Sequence, residues 1–355
     1  MRLSDSRQPK TDPAHASLLQ MAFGALTTQI LCVAAQLGVA ECLSQTAPAT
    51  ASELAPKLGV DVATAERLLR ALVCLDLCNE TEGNRFMLTS LGEYLRPDHP
   101  DSVEARVLLN GQVYYRLWGD LLETVRTGES GFHRTFGMPF YDYLVDDPVI
   151  AALYDRTMAG VVRHRHRPAV DAYNFDRFKT VVDVGGGNGA LLAEVLKAYS
   201  RPNAIIYDLP RAAKAAIETV EKAGLTGRCS FVGGDAFQSV PNGADAYILS
   251  NFVINWGDDR SIVPLRHCRD AIAADGTLLL VEWVMPSAGE SHEGYADWDT
   301  IIAMDINALS IFGGNGGRVR TRAEFDALLS AAGFELTAII PTRGSVSLIE
   351  AKPVH

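Results

Sequence analysis

The stretch "VVDVGGGNGA" at 181–190 constrains this chain more than any other: an apolar run, then glycines at Gly185, Gly187 and Gly189, then a helix-forming segment. Glycine permits the sharp strand-to-helix turn and lets a ligand come close to the backbone. The same order of β-rich run, loop and helix recurs at "NAIIYDLPRAAKAAIETVEKAG", "CSFVGGDAFQSV", "ADAYILSNF" and "GTLLLVEWVMP". Such short apolar runs suit strands buried on both faces. The expectation is an α/β, Rossmann-like, doubly wound sheet over 179–355, all parallel, with its ligand crevice at the carboxyl ends of the strands.

The polar residues at those strand ends narrow the ligand. Taken as GxGxxA, the loop also matches a dinucleotide fingerprint, which alone is a weak signal. Asp183, two residues before the first glycine, suits an ammonium group and disfavours a pyrophosphate. Asp208 ends the second strand, where a carboxylate can take two ribose hydroxyls. Asp235 and Phe237 follow the third strand and supply an acceptor for an adenine amino group and an apolar face for its ring. Together these describe S-adenosylmethionine (SAM) rather than NAD.

The first third reads differently. "LLQMAFGALTTQILCVAAQLGVAECL" has helical spacing broken by Gly24 and Gly38. "TASELAPKLGV" and "DVATAERLLRALVCLDLC" form helix, turn and helix, and "NETEGNRFMLTSLGEYL" a hairpin followed by a helix capped at Thr89. This is the order of a winged helix. Its second helix offers only Arg67 and Arg70 as cations, and the first long helix is apolar all round, so a dimerisation module is expected rather than a DNA reader. The domain expectation is 1–105 for this module, 106–178 for a helical linker and pocket roof, and 179–355 for the cofactor domain. The roof is rich in aromatics, among them Phe136 and Tyr141, which suit either helix core or an apolar pocket.

With 48% hydrophobic residues, the 355-residue chain can build two cores, and its net charge of −11 argues against nucleic-acid and membrane-surface partners. "RHRHR" at 163–167 is too short for a basic patch. The six cysteines lack metal or disulfide spacing, so no metal is expected; Cys74 and Cys78 are read as one core face of a helix. Neither a signal core nor an apolar run near the roughly 18 residues of a membrane span occurs, and a cytoplasmic location is expected.

The motifs "FYDYLVDDPVIAALYDRTMAGVV", "VVDVGGGNGA", "YDLP", "GGDAF", "NFVINWGDD", "LLLVEWVMP" and "GGRVRTRAEFDALLSAAGF" stand in the order of a known family. The chain resembles the class I SAM-dependent small-molecule O-methyltransferases: the plant caffeate and isoflavone type and bacterial relatives acting on polyketides and phenazines. The resemblance implies SAM contacts from Gly185, Gly187, Asp208, Asp235, Phe237 and Ser250, Trp256 near the adenine end, and homodimers through the N-terminal helices. It also implies a histidine base between two glutamates. Here that base position holds Ile254, the following acid is Asn255, the first glutamate is Glu282 and the second is Val319.

A hydrocarbon cannot take a proton, so three readings stay open: a small-molecule methyltransferase whose acceptor needs no base, one with a base borrowed from His133, His164 or His166, or a non-methylating enzyme using the sulfonium as a charge. His267 is placed outside the sheet. The resemblance sets Met158 against the acceptor. Met304, Asp305 and Asn307 fall on the helix after the fifth strand, closing the pocket from the other side. The glycine-rich 312–318 is either a flap over the site or an extended loop.

Overall fold

The computed structural model describes residues 12–287, 289 and 298–354; the side chains of 161–164 lie outside that description. The chain divides into two compact units, 1–116 and 117–355.

In the first unit, helices Pro13–Ala22 and Gly24–Gln36 meet at 47° around Phe23. They leave Leu18, Leu19, Met21, Phe23 and Leu26 exposed. Helix Ala51–Leu58 opens on a reciprocal cap between Thr50 and Glu53, and helix Val62–Cys74 on Asp61. Strands β1 (Ala49–Thr50), β2 (Cys78–Thr81) and β3 (Arg85–Leu88) form a small sheet in the order β1-β3-β2, with Leu54, Leu69, Leu72 and Phe86 buried beneath. This is helix, turn, helix and wing. Arg70 is engaged by Glu66 and Glu80. Thr89 accepts the Gly92 N–H at 3.0 Å ahead of a short 3-10 turn, Gly92–Leu95, whose N-cap is Leu91. The cysteine expectation needs correcting: the helix ends at Cys74, which is exposed, while Cys78 lies in β2 and is buried. Among the described residues no group of side chains is arranged to hold a metal, and no single helix is long and apolar enough to cross a membrane.

The second unit is built on seven strands: β4 (Thr180–Val184), β5 (Asn203–Asp208), β6 (Cys229–Gly233), β7 (Ala246–Ser250), β8 (Thr277–Glu282), β11 (Phe334–Pro341) and β12 (Ser347–Pro353). A two-residue ladder pairs β9 (Val284–Met285) with β10 (Arg320–Thr321). The large sheet runs β11-β12-β8-β7-β4-β5-β6. Its chain order reverses between β4 and β7, which makes their carboxyl ends the switch-point crevice of such folds. The sheet is mixed, not all parallel: β12 runs antiparallel to both β8 and β11. A short connection can only join antiparallel neighbours, and 342–346 is such a connection. Helices Ala190–Ala198 and Ala213–Lys222 and the end of Pro148–Asp171 cover one face; Asp258–Ala271 and Arg322–Ala331 cover the other.

One buried cation fixes the loop after β7. Arg320 is 1% exposed; it donates to the Val253 carbonyl at 2.7 Å, to the Trp256 carbonyl at 2.8 Å and to Asp258. Asp258 is half in solvent, so most of the stabilisation comes from the two carbonyls, whose other donors, the Trp256 N–H at 3.3 Å and Ser261 Oγ at 3.2 Å, are longer. Arg320→Met should therefore lower unfolding free energy by about 3 kcal/mol in urea titration, and a loss within about 0.5 kcal/mol would show that the clamp does not hold the loop.

Candidate active site

At the end of β4, Asp183 is 1% exposed, and its Oδ1 has no hydrogen-bond partner among the described residues. Burial, helped by the nearby Asp208 charge, pushes its pKa up to about 7. The glycines beyond it have distinct reasons. At Gly185 (φ 77°) a Cβ would stand 2.7 Å from the Phe252 ring, and at Gly189 (φ 73°) 2.3 Å from Ile206. Gly187 (φ 54°) faces open space, and its N–H donates to Asp208 Oδ2 at 2.8 Å. Asp208 also accepts from the Leu209 N–H, and burial raises its pKa. Two backbone donors thus fix this carboxylate beside the open glycine while leaving lone pairs for a diol.

Asp235 accepts from the Phe237 N–H at 2.9 Å, which sets both residues at the mouth of β6. The Phe237 and Trp256 rings meet edge-on at 5.1 Å, and Arg260 lies 4.3 Å over Trp256 and 4.8 Å over Phe237. Tyr141 stacks on Trp256 at 5.4 Å. Sequence reasoning missed the Arg260 contacts. A cleft of about 290 Å³ lies beside this group, lined by Asn255, Trp256, Phe312 and Asn315 among others. An orphaned buried carboxylate, a fixed diol acceptor and an aromatic slot fit the ammonium, ribose and adenine of SAM.

Between them lies the turn 251–256. Asn251 takes φ 49°, a conformation asparagine tolerates, and Val253–Asn255 form a 3-10 turn. Glu282, 1% exposed, accepts from the Val253 N–H at 2.9 Å and more weakly from Ile254 at 3.4 Å. Its second oxygen has no partner among the described residues, and burial pushes its pKa up to about 7. Ile254 is 6% exposed and packs in one apolar cluster with Val319, Trp283 and Met304. Asn255 turns back to donate to the Asn251 carbonyl at 2.7 Å, so its amide braces the turn.

The other expected residues divide. Asp305 accepts from the Val319 N–H at 2.9 Å, and Asn307 from the Trp118 indole at 3.2 Å, so both have structural duties. Met158 is half-buried on helix Pro148–Asp171. Phe136 packs in a ring cluster, 4.5 Å from Phe132 and 4.8 Å from Tyr143. His133 is exposed on helix Gly131–Phe136. The side chain of His164 lies outside the described residues. His166 is buried, 2.7 Å from Ser250 Oγ. His267 contacts the Ala236 carbonyl. The glycine-rich loop is pinned, not a free flap: the Gly314 N–H bonds to the Gly128 carbonyl, and a Cβ on Gly317 would stand 2.0 Å from the Ile254 carbonyl.

The raised pKa of Glu282 fixes a sign. The folded state holds this proton more tightly than the unfolded chain, so the group's contribution is full below about pH 4 and is lost as pH rises through 7. Between pH 5 and 8, wild type should lose stability relative to Glu282→Gln by on the order of 3 kcal/mol or less in urea titrations. Parallel profiles for the two proteins would show that Glu282 is ionised without penalty.

The chain matches the family model of the O-methyltransferase domain over residues 118–335 and that of the O-methyltransferase dimerisation domain over 19–98. It is 37% identical over 352 residues to the phenazine O-methyltransferase PhzM of Lysobacter antibioticus, covering 99% of this chain and 100% of that one. It is 32% identical over 337 residues to the 3-amino-4-hydroxybenzoate 4-O-methyltransferase of Streptomyces cremeus, covering 94% and 89%. Among solved structures it is similar to the O-methyltransferase NcsB1 of neocarzinostatin biosynthesis, in complex with SAM and 2-hydroxy-5-methyl naphthoic acid. That likeness has a TM-score of 0.80 at 30% identity, covering 95% of this chain and 98% of the other. With glycines and carboxyl groups gathered at the carboxyl ends of β4, β5 and β6 and matches along almost its whole length, the chain belongs to the O-methyltransferase family and is a SAM-dependent methyltransferase.

Proposed function

We propose that this enzyme methylates a hydroxyl group of a planar aromatic secondary metabolite that is acidic enough to ionise without a protein base. The observation that carries this reading is Ile254. The residue that the resemblance sets at the family's base is a buried hydrocarbon, Val319 beside it is 5% exposed and apolar, and one oxygen of Glu282 is taken up by the turn's own N–H groups. The phenazine, aminohydroxybenzoate and naphthoate named for the relatives are of this chemical class.

SAM, when bound, supplies a methyl group on a positively charged sulfur. The protein's part is placement and exclusion of water, which suffices when the nucleophile is already an anion. In this reading Gly185 and Gly187 bring the backbone to the cofactor, Asp208 receives the ribose, and Asp235, Phe237 and Trp256 receive the adenine. Met158, Met304 and Tyr141 shape the acceptor side. A non-methylating reaction has no observation of its own in its favour. The dimerisation domain and the exposed row Leu18, Leu19, Met21, Phe23 and Leu26 support a homodimer, in which that apolar surface would be covered.

The test is incubation with methyl-labelled SAM and, in turn, a hydroxyphenazine, a hydroxynaphthoate and 3-amino-4-hydroxybenzoate. Label is expected on oxygen of at least one. Ile254→His should raise turnover of weakly acidic phenols at neutral pH by about tenfold or more, because it returns a base to its place. SAM binding with no transfer to any of the three would contradict the reading.

A further inference from the structure

His166 has no role in the site as described so far, yet its surroundings are those of a binding group. Only 6% exposed on helix Pro148–Asp171, it sets Nε2 2.7 Å from Ser250 Oγ, and Nδ1 has no partner among the described residues. A buried ring nitrogen without a partner is costly unless something supplies one. Burial, and secondarily the Arg165 charge, hold its pKa down at about 4, so the ring is neutral and one nitrogen is a bare acceptor.

Strand register shows which part of the ligand it meets. Asp183 of β4 pairs with Ile248 of β7, and Ser250 is two residues further along β7. Alternation in a strand therefore turns Asp183, Ile248 and Ser250 to one face, the face on which Ala169 and Val170 of the long helix pack. Across the order β7-β4-β5-β6, the ribose and adenine groups Asp208 and Asp235 lie on the β5 and β6 side. The β4 and β7 side is left for the other end of the cofactor. Two buried polar atoms without partners among the described residues, Asp183 Oδ1 and His166 Nδ1, stand on that side. An ammonium group has donors for both.

We propose that His166 is a cofactor-positioning residue which, with Asp183 and Ser250, seats the α-ammonium group of the methionine chain of SAM. This rests on the SAM site above but not on the choice of acceptor. Nε2–H donates to Ser250 Oγ, which fixes the tautomer and leaves the Nδ1 lone pair for the ligand.

The experiment is calorimetric titration of the full chain with SAM, S-adenosylhomocysteine and 5′-methylthioadenosine, the last lacking the amino-acid end. His166→Gln keeps a donor for Ser250 but loses the Nδ1 acceptor; it should weaken SAM and S-adenosylhomocysteine by about tenfold and methylthioadenosine by less than about twofold. Ser250→Ala should shift the same ratio in the same direction, and His166→Asn, which keeps a polar atom near Nδ1, should restore part of it. The ratio of affinities is read on folded protein, so a loss of stability does not imitate it. Equal weakening of all three ligands, or none, overturns the proposal. Intact selective binding without methyl transfer would instead count against the reading of function and leave this one standing.

Discussion

Two buried polar side chains grip one turn. From one side Glu282 takes the N–H groups of Val253 and Ile254; from the other Arg320 takes the carbonyls of Val253 and Trp256. Both side chains are about 1% exposed, so neither can be replaced by water. Their hold dictates where Ile254 points, where Trp256 meets Phe237, and how close Gly317 must pass. Val319, which the resemblance sets at the family's second glutamate, has its own N–H fixed by Asp305. The site is therefore a rigid polar frame around an apolar centre.

That combination separates two tasks that a histidine base would merge. In the proposed reading the frame positions and the apolar centre excludes water, while proton removal is left to the acidity of the acceptor. His166 does not undo this division, since a ring held neutral down to about pH 4 is a hydrogen-bonding group rather than a base at neutral pH. The carboxyl groups cluster instead at the carboxyl ends of β4, β5 and β6, where Asp183, Asp208 and Asp235 stand.

Much of this was legible in the sequence. The inner strands are buried on both faces, so β4, β7 and β8 read as mainly apolar runs, and the ends of β4, β5 and β6 are marked by glycine or aspartate. The β11–β12 hairpin was not: β11 is an edge strand with a mixed pattern and carries no motif. Asp305, Asn307 and Asn255 could be placed near the site, but whether a short polar side chain turns to ligand or to a neighbouring backbone depends on distances of an ångström. His166 looked like part of a basic surface run. Its spacing to Ala169, Val170 and Tyr173 is three, four and seven residues, the stripe of a buried helix face, and that signal could have found it. Arg320 gave no such signal, because Arg318, two residues away, is half in solvent.

The central claim is that proton removal belongs to the acceptor and not to the protein. It is tested most directly by single-turnover methyl transfer from SAM, measured against pH for a series of phenols of differing acidity. Each rate should rise with the fraction of that phenol already ionised, with a midpoint that moves with the phenol. A midpoint that stays near pH 7 for every phenol would assign the proton to a group of the protein, with Glu282 and Asp183 the first to be suspected, and would contradict it.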